Sequence, residues 1–209
     1  KRRVVVTDAL FSMDGTLAPL ADIVKVCREN DAVLVVDEAH STLLYGERGG
    51  GWAEACGVAE EVDFHVGTLS KAFGVQGGFV ACSEERRLWL LNEARSFIFT
   101  TALPLPLVEA ARAVLRCWTP AVLNELQLRI DRLAAFTDSR SDSPIVPIIV
   151  GEEVRTMDIS SQLWRAGYHV PAVRPPTVPV GGSRLRIALS RAHDLDVIDG
   201  LGEALSRAL

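Results

Sequence analysis

One lysine, Lys71, stands where its neighbours could turn it into a nucleophile. It lies in V-D-F-H-V-G-T-L-S-K-A-F-G-V-Q-G-G-F-V-A-C, from Val62 to Cys82, where two apolar runs flank a Thr-Leu-Ser-Lys core. Glycines at 67, 74, 77 and 78 let the backbone turn tightly around it. A lysine kept from water loses part of its preference for the ammonium form. The free amine can attack a carbonyl and form a Schiff base. On Gly-Thr-x-x-Lys alone, a surface turn is the plainer reading, so the surroundings decide. Asp37 ends the apolar run from Ala32 to Val36. A carboxylate there is commonly a cap or turn residue, but beside a Schiff-base lysine it gains a definite task. Pyridoxal phosphate drains electrons only while its ring nitrogen is protonated, and a nearby carboxylate favours that proton. His40 could hydrogen-bond the cofactor's phenolic oxygen, or be an ordinary loop histidine. Thr68 and Ser70 offer hydroxyls beside Lys71, and Thr68 is placed to hold a phosphate oxygen; local turn bonding is the alternative. Arg174 and Arg186 flank R-P-P-T-V-P-V-G-G-S-R-L-R-I. An arginine fork binds both oxygens of a substrate carboxylate at once, whereas two solvated arginines on an edge strand would do nothing. Alternation puts Arg184 and Arg186 on one face of that strand, opposite Leu185 and Ile187.

The elements that must carry these residues follow from pattern. Lys1 to Ala9 reads as a strand running into F-S-M-D-G-T, where Asp14-Gly15 signals a turn. Pro19 opens a helix with an apolar face from Leu20 to Cys27. Ala32 to Val36 is the continuous apolar run of a strand covered on both faces in a parallel sheet. Charge at the carboxyl end of the second strand of a βαβ unit is where such sheets bind ligands. The glycine run at 49 to 51 lacks the G-x-G-x-x-G spacing of a nucleotide loop and is discounted. After the lysine stretch come a strand (Gly78 to Cys82), a helix (Glu84 to Arg95), a short strand (Ser96 to Phe99) and a rigid turn through Pro104 and Pro106. Helices follow up to Trp118 and from Val122 to Phe136. T-D-S-R-S-D-S-P, Thr137 to Pro144, is the expected boundary. A small α/β domain then follows: strand 145–150, helix 154–165, strands 168–173 and 185–189, and helix 195–209.

Composition removes several classes of function. With 209 residues, 48% hydrophobic, the chain can bury one sizeable core and a second, smaller one. A net charge of −5 with no long basic run argues against nucleic acid or an anionic membrane as partner. No apolar stretch is long enough to span a bilayer and no signal-peptide pattern opens the chain. Cys27, Cys56, Cys82 and Cys117 lack C-x-x-C spacing and read as reduced thiols in a cytoplasmic compartment, with no metal site. The chain opens directly in strand-like sequence without methionine, which reads as a fragment or a processed piece.

Four ordered motifs carry a resemblance: V-V-D-E-A-H-S-T-L-L-Y-G-E-R-G-G-G, G-T-L-S-K-A-F-G-V-Q-G-G-F, F-I-F-T-T-A-L-P, and R-P-P-T-V-P followed by R-L-R-I-A-L-S-R-A-H. Together they resemble the α-oxoamine synthases, fold-type I pyridoxal-phosphate enzymes that join an amino acid to an acyl thioester with loss of carbon dioxide. The resemblance implies an α/β fold: part of the cofactor-binding large domain over 1–137, mostly parallel sheet with flanking helices, and a small carboxyl-terminal domain over 138–209. It implies pyridoxal phosphate held by Lys71 as an internal aldimine, with Asp37 at the ring nitrogen and His40 near the phenolic oxygen. Ser12 would contact the cofactor, Thr68 its phosphate, and Thr101 the phosphate of a neighbouring subunit in a homodimer. Arg186 would bind the substrate carboxylate, and Arg174 would sit on a moving loop. The wording is most similar to the branch that condenses L-alanine with pimeloyl-CoA, or a pimeloyl carrier thioester, to 8-amino-7-oxononanoate in biotin synthesis. Serine palmitoyltransferase, 5-aminolevulinate synthase and 2-amino-3-ketobutyrate ligase share the same lysine and carboxylate logic. A non-catalytic subunit is the reading from a different class, and the presence of Lys71 argues against it. The family's amino-terminal half, with its glycine-rich phosphate loop and ring-stacking histidine, has no counterpart here, so the chain alone is expected to be inactive.

Overall fold

The computed structural model describes residues 1–137 and 141–209. The boundary expected at 137/138, within the polar tract from Thr137 to Pro144, falls on residues 138–140 and lies outside the described residues. By contacts, the chain forms two compact units, Lys1–Leu10 with Leu17–Pro120, and Phe11–Thr16 with Ala121–Leu209.

The first unit begins with β1 (Arg3–Asp8), α1 (Leu20–Glu29) and β2 (Ala32–Asp37). After α2 (Trp52–Ala55) and a 3-10 turn at Ala59–Glu61 come β3 (Phe64–Thr68) and β4 (Gly78–Cys82). The unit closes with α3 (Glu84–Glu93), α4 (Arg95–Ile98) and α5 (Leu105–Cys117). The sheet order is β1-β2-β3-β4. β1, β2 and β3 run parallel, whereas β4 is antiparallel to β3. The reason is length: a connection as short as Leu69–Gly77 can form a hairpin but not the crossover a parallel neighbour requires. The strand expected at Ser96 to Phe99 is instead the single turn of α4. An apolar run that short cannot separate helix from strand by period.

α1 covers one face of the sheet. Its buried Leu20, Val24 and Cys27 recur at helical spacing and pack with Leu34, Val36 and Ala53. The other face carries Val4 and Val6 of β1, Val33 and Val35 of β2, Phe64 and Val66 of β3, and Val80 of β4, and none of them is buried. Val4 and Val6 are 59% and 70% exposed. The covering on both faces expected for β2 is therefore present on one face only among the described residues. A smaller cluster joins Leu43, Phe73 and Ala111, with Leu69, Val75, Val114 and Trp118 packed around it. It ties the lysine-bearing loop to α5.

The second unit holds α6 (Ala121–Ala134), β5 (Ile145–Gly151), α7 (Glu153–Arg165), β6 (Ala172–Val173), β7 (Ser183–Ala188) and α8 (Leu195–Ala208). Its sheet is antiparallel in the order β5-β7-β6. The expected strand from Tyr168 shrinks to two residues, since Pro171 cannot donate to a ladder. α6 presents Leu126, Ile130 and Leu133 as its buried stripe. Arg132 on α6 grips Asp199 on α8 through two bonds of 2.5 and 2.6 Å. The segment Phe11–Thr16 belongs to this unit because arginines of β7 hold it, as described below. Gly15 permits the contact: it adopts φ +67°, and a Cβ there would drive into the carbonyl of Ile145.

Two outcomes follow for stability. Gly15→Ala combines a left-handed backbone with backbone overlap, so it should lower the unfolding free energy by about 3 kcal/mol in urea titration. Glu38, 2% exposed, accepts from the Trp52 and Ala53 amides at 2.9 Å each and from the Ser41 hydroxyl. Glu38→Ala strands those donors and should cost about 3 kcal/mol in the same titration, with Glu38→Gln costing less.

Candidate functional site

Chemistry-bearing residues gather where the parallel strands end. Register pairing sets Asp8 beside Asp37, the last residues of β1 and β2. Side chains at paired positions of neighbouring parallel strands share a face, and alternation adds Val6, Val35 and Val66 to it. Asp8 and Asp37 thus stand at the carboxyl end of the partly exposed apolar face. Glu38, one residue on, turns to the opposite side and is consumed by the amides of α2 and the Ser41 hydroxyl. Gly51 brings that helix start close, adopting φ +112° with no room for a Cβ beside the Glu38 carboxylate. The Ala39 amide donates to Asp37 Oδ1 at 2.8 Å and fixes the carboxylate's direction. His40 follows in the turn after β2, half-buried.

Lys71 lies in the turn between β3 and β4. The Gly74 amide donates to its carbonyl at 3.0 Å, and Gly74 takes φ +69° to close the turn. Leu69, Phe73 and Val75 anchor the loop in the smaller cluster, so the backbone around the lysine is held. Its side chain is exposed. The shielding expected from flanking apolar segments is not supplied by the described residues. Electrostatics nevertheless join the lysine to the strand ends. Burial and the charge of Asp37 push the Asp8 carboxyl above its usual range, and the charge of Lys71 pulls it back. One carboxyl thus feels both Asp37 and Lys71.

The Thr68 hydroxyl donates to the Gly77 carbonyl at 3.2 Å, accepts from the Ser70 amide at 3.1 Å and lies 2.8 Å from the Ser70 hydroxyl. Local turn bonding is therefore what Thr68 does in this structure. Thr101 is exposed in the extended segment before α5.

The remaining candidates lie in the second unit. Arg186 is half-buried, and its Nε donates to the Ser12 carbonyl at 2.5 Å. Burial alone pulls its guanidinium below the ordinary arginine range. Among the described residues no carboxylate forms an ion pair with it. Ser12 and Arg186 are thereby brought together through the Ser12 backbone. Arg174 is engaged elsewhere, 2.7 Å from Glu153 in an exposed pair.

Two acids are not singled out as site residues by type and spacing, and a third residue, Arg184, is placed on its face but given no role. Asp8 is a lone acid at a strand end, visible only once β1 and β2 are known to pair in register. Glu38 reads as a second acid beside Asp37 until alternation sends it inward. Arg184 is 7% exposed, pairs with Asp14, and donates to the Gly182 carbonyl at 2.9 Å and the Met13 carbonyl at 3.4 Å. With Arg186 it fixes the Phe11–Thr16 loop on β7.

Known proteins resemble this chain in sequence and in fold. The model of the family "Aminotransferase class I and II" matches residues 1–205. An 8-amino-7-oxononanoate synthase of Anaeromyxobacter sp. (strain K) is 46% identical over 220 residues, covering 100% of this chain and 54% of the relative. The serine palmitoyltransferase of Sphingomonas wittichii superposes with a TM-score of 0.93 at 30% identity, over 99% of this chain and 54% of the other. A structure titled "SPT with PLP" gives 0.92 at 30% identity, over 98% and 54%. The chain thus spans about half the length of the relatives it matches. The family match runs from the first strand into the last helix, and the chain belongs to the aminotransferase class I and II family.

Proposed function

We propose that this chain serves a pyridoxal-phosphate-dependent acyl transfer, condensing L-alanine with pimeloyl-CoA or a pimeloyl carrier thioester, with loss of carbon dioxide, to 8-amino-7-oxononanoate. The observation that carries this reading is that Asp37 ends a strand whose parallel neighbour, β3, runs directly into the loop bearing Lys71. A lysine and an acid at the carboxyl end of neighbouring parallel strands suit a ring that needs an amine on one side and an anion at its nitrogen. The similarity to 8-amino-7-oxononanoate synthases supports the choice of substrates, and the solved structure titled with PLP supports the cofactor.

The donor set fits the cofactor. Asp37, its direction fixed by the Ala39 amide, would hold the ring-nitrogen proton. His40 would face the phenolic oxygen, and Thr68 would exchange part of its turn bonding for a phosphate oxygen. When bound, pyridoxal phosphate supplies an electron sink for a carbanion at the amino acid's Cα. The Lys71 amine takes the Cα proton as general base and later returns a proton. Arg186 holds the substrate carboxylate: Ser12 engages its Nε, and its two terminal nitrogens suit a bidentate contact. Ser12 lies on the loop that Arg184 and Arg186 steady. Arg174 would leave Glu153 as its loop moves, and Thr101 would serve the phosphate of a neighbouring subunit in a homodimer. No helix among the described residues is long and apolar enough to cross a membrane, in keeping with the cytoplasmic setting we propose.

The first test is chemical. Incubating the chain with pyridoxal phosphate, reducing with borohydride and digesting should place the added mass on Lys71, not on the other lysines, Lys1 and Lys25. Label spread evenly over the three, or unchanged in Lys71→Ala, overturns the assignment. In an active enzyme containing this chain, Arg186→Lys loses the bidentate contact and should raise KM for the amino acid about tenfold. Turnover with serine or glycine in preference to alanine would move the reading to another α-oxoamine synthase.

A further inference from the structure

Lys71 is exposed in the loop after β3, at the end of the sheet where β1 and β2 finish on Asp8 and Asp37. Asp8 and Asp37 are register partners on one face, so two carboxylates stand side by side at the end of neighbouring strands. Like charges at that spacing oppose each other's ionisation unless a cation lies opposite. Asp37 cannot turn away, because the Ala39 amide holds Oδ1. Asp8 cannot leave either, since the Ala9 amide that follows it donates to the Asp37 carbonyl at 2.8 Å and keeps the two strands paired to their ends.

We propose that Asp8 is a positioning residue of this site: with Asp37 it forms a two-carboxylate seat for one positive charge, taken by the Lys71 ammonium in the unloaded chain and by a protonated ring nitrogen once the cofactor is bound. The second half of that statement rests on the function proposed above, and the first half does not. The seat explains why a carboxylate persists at a half-buried strand end where it meets a like charge. It also gives the exposed Lys71 a counter-charge at the strand ends. Among the described residues of the first unit, the titratable groups placed at this end of the sheet include Asp8 from β1, Asp37 from β2, His40 from the turn after β2 and Lys71 from the β3–β4 loop. Glu38 faces the other side and is occupied there. The upward push on the Asp8 carboxyl from burial and Asp37, opposed by Lys71, agrees with this arrangement.

The test needs no cofactor, so it stands apart from the borohydride experiment. The chain is treated with trinitrobenzenesulfonate over a range of pH, and labelling of Lys71 is measured by mass spectrometry against Lys25 as internal reference. Removing a carboxylate that favours the ammonium makes the amine available at lower pH. Asp8→Asn should therefore move the Lys71 profile to lower pH and raise its labelling several-fold at neutral pH. Asp8→Glu should restore the original profile, and Asp22→Asn, an exposed acid on α1, should leave it unchanged. Asp8→Asn should also unfold at an equal or higher urea concentration, because the charge it removes is opposed in the native chain. Should Asp8→Asn fail to fold, Asp8→Ser is read in the same way. A Lys71 profile that stays put in a folded Asp8 variant, or that moves equally with Asp22→Asn, overturns the proposal.

Discussion

At the end of β2 the two-residue period of an extended backbone sends adjacent carboxylates to opposite sides of the sheet. Glu38 goes inward and collects two amides and a hydroxyl, which binds the start of α2 and the loop between to the strand. Asp37 goes outward and, held by the Ala39 amide, stands beside Asp8. The remaining parts of the first unit depend on that division. A slip of one residue in register would bury Asp37 against α1 and expose Glu38, and both the scaffold and the proposed chemistry would be lost together. The lysine loop adds the third charge from β3, with its apolar residues sunk beside α5.

The second unit solves a different problem, that of presenting an arginine. A lone guanidinium on a strand would wander, but Arg184 and Arg186 share a face and grip carbonyls of one short loop. Arg184 is the buried member, pinned by Asp14, and its task is mechanical. Arg186 is the half-buried member, with its Nε tied to Ser12 and no ion-pair partner among the described residues. Two arginines of like spacing therefore differ in depth: Arg184 rivets the loop, and Arg186 is the one we propose as receptor for a carboxylate.

Much of this could be read from residue order. Apolar continuity marked β2, helical spacing marked α1, and Gly74 marked the turn that carries Lys71, because each is a local signal with a local cause. The depth of Lys71 could not be read that way. Flanking apolar runs predict cover, whereas exposure depends on which faces of the sheet are actually packed. Asp8 was silent for a related reason, since a pair across two strands exists only in the register. The short strand expected at Ser96 to Phe99 failed because three apolar residues suit one helical turn equally well. Arg184 was legible as the face-mate of Arg186, but its burial follows from Asp14, far away along the chain.

The valine-rich side of the first sheet has a practical corollary. Among the described residues β1 and β4 are the edges of this sheet, and Val4 and Val6 on the one and Val80 on the other present aliphatic surface to water. Such a side adheres to greasy matter of any kind, including further copies stacked edge to edge. The colloidal behaviour of the purified polypeptide will therefore be governed by that stripe of methyl groups and not by its net negative charge, and lysine in place of Val6 would be the simplest solubilising change.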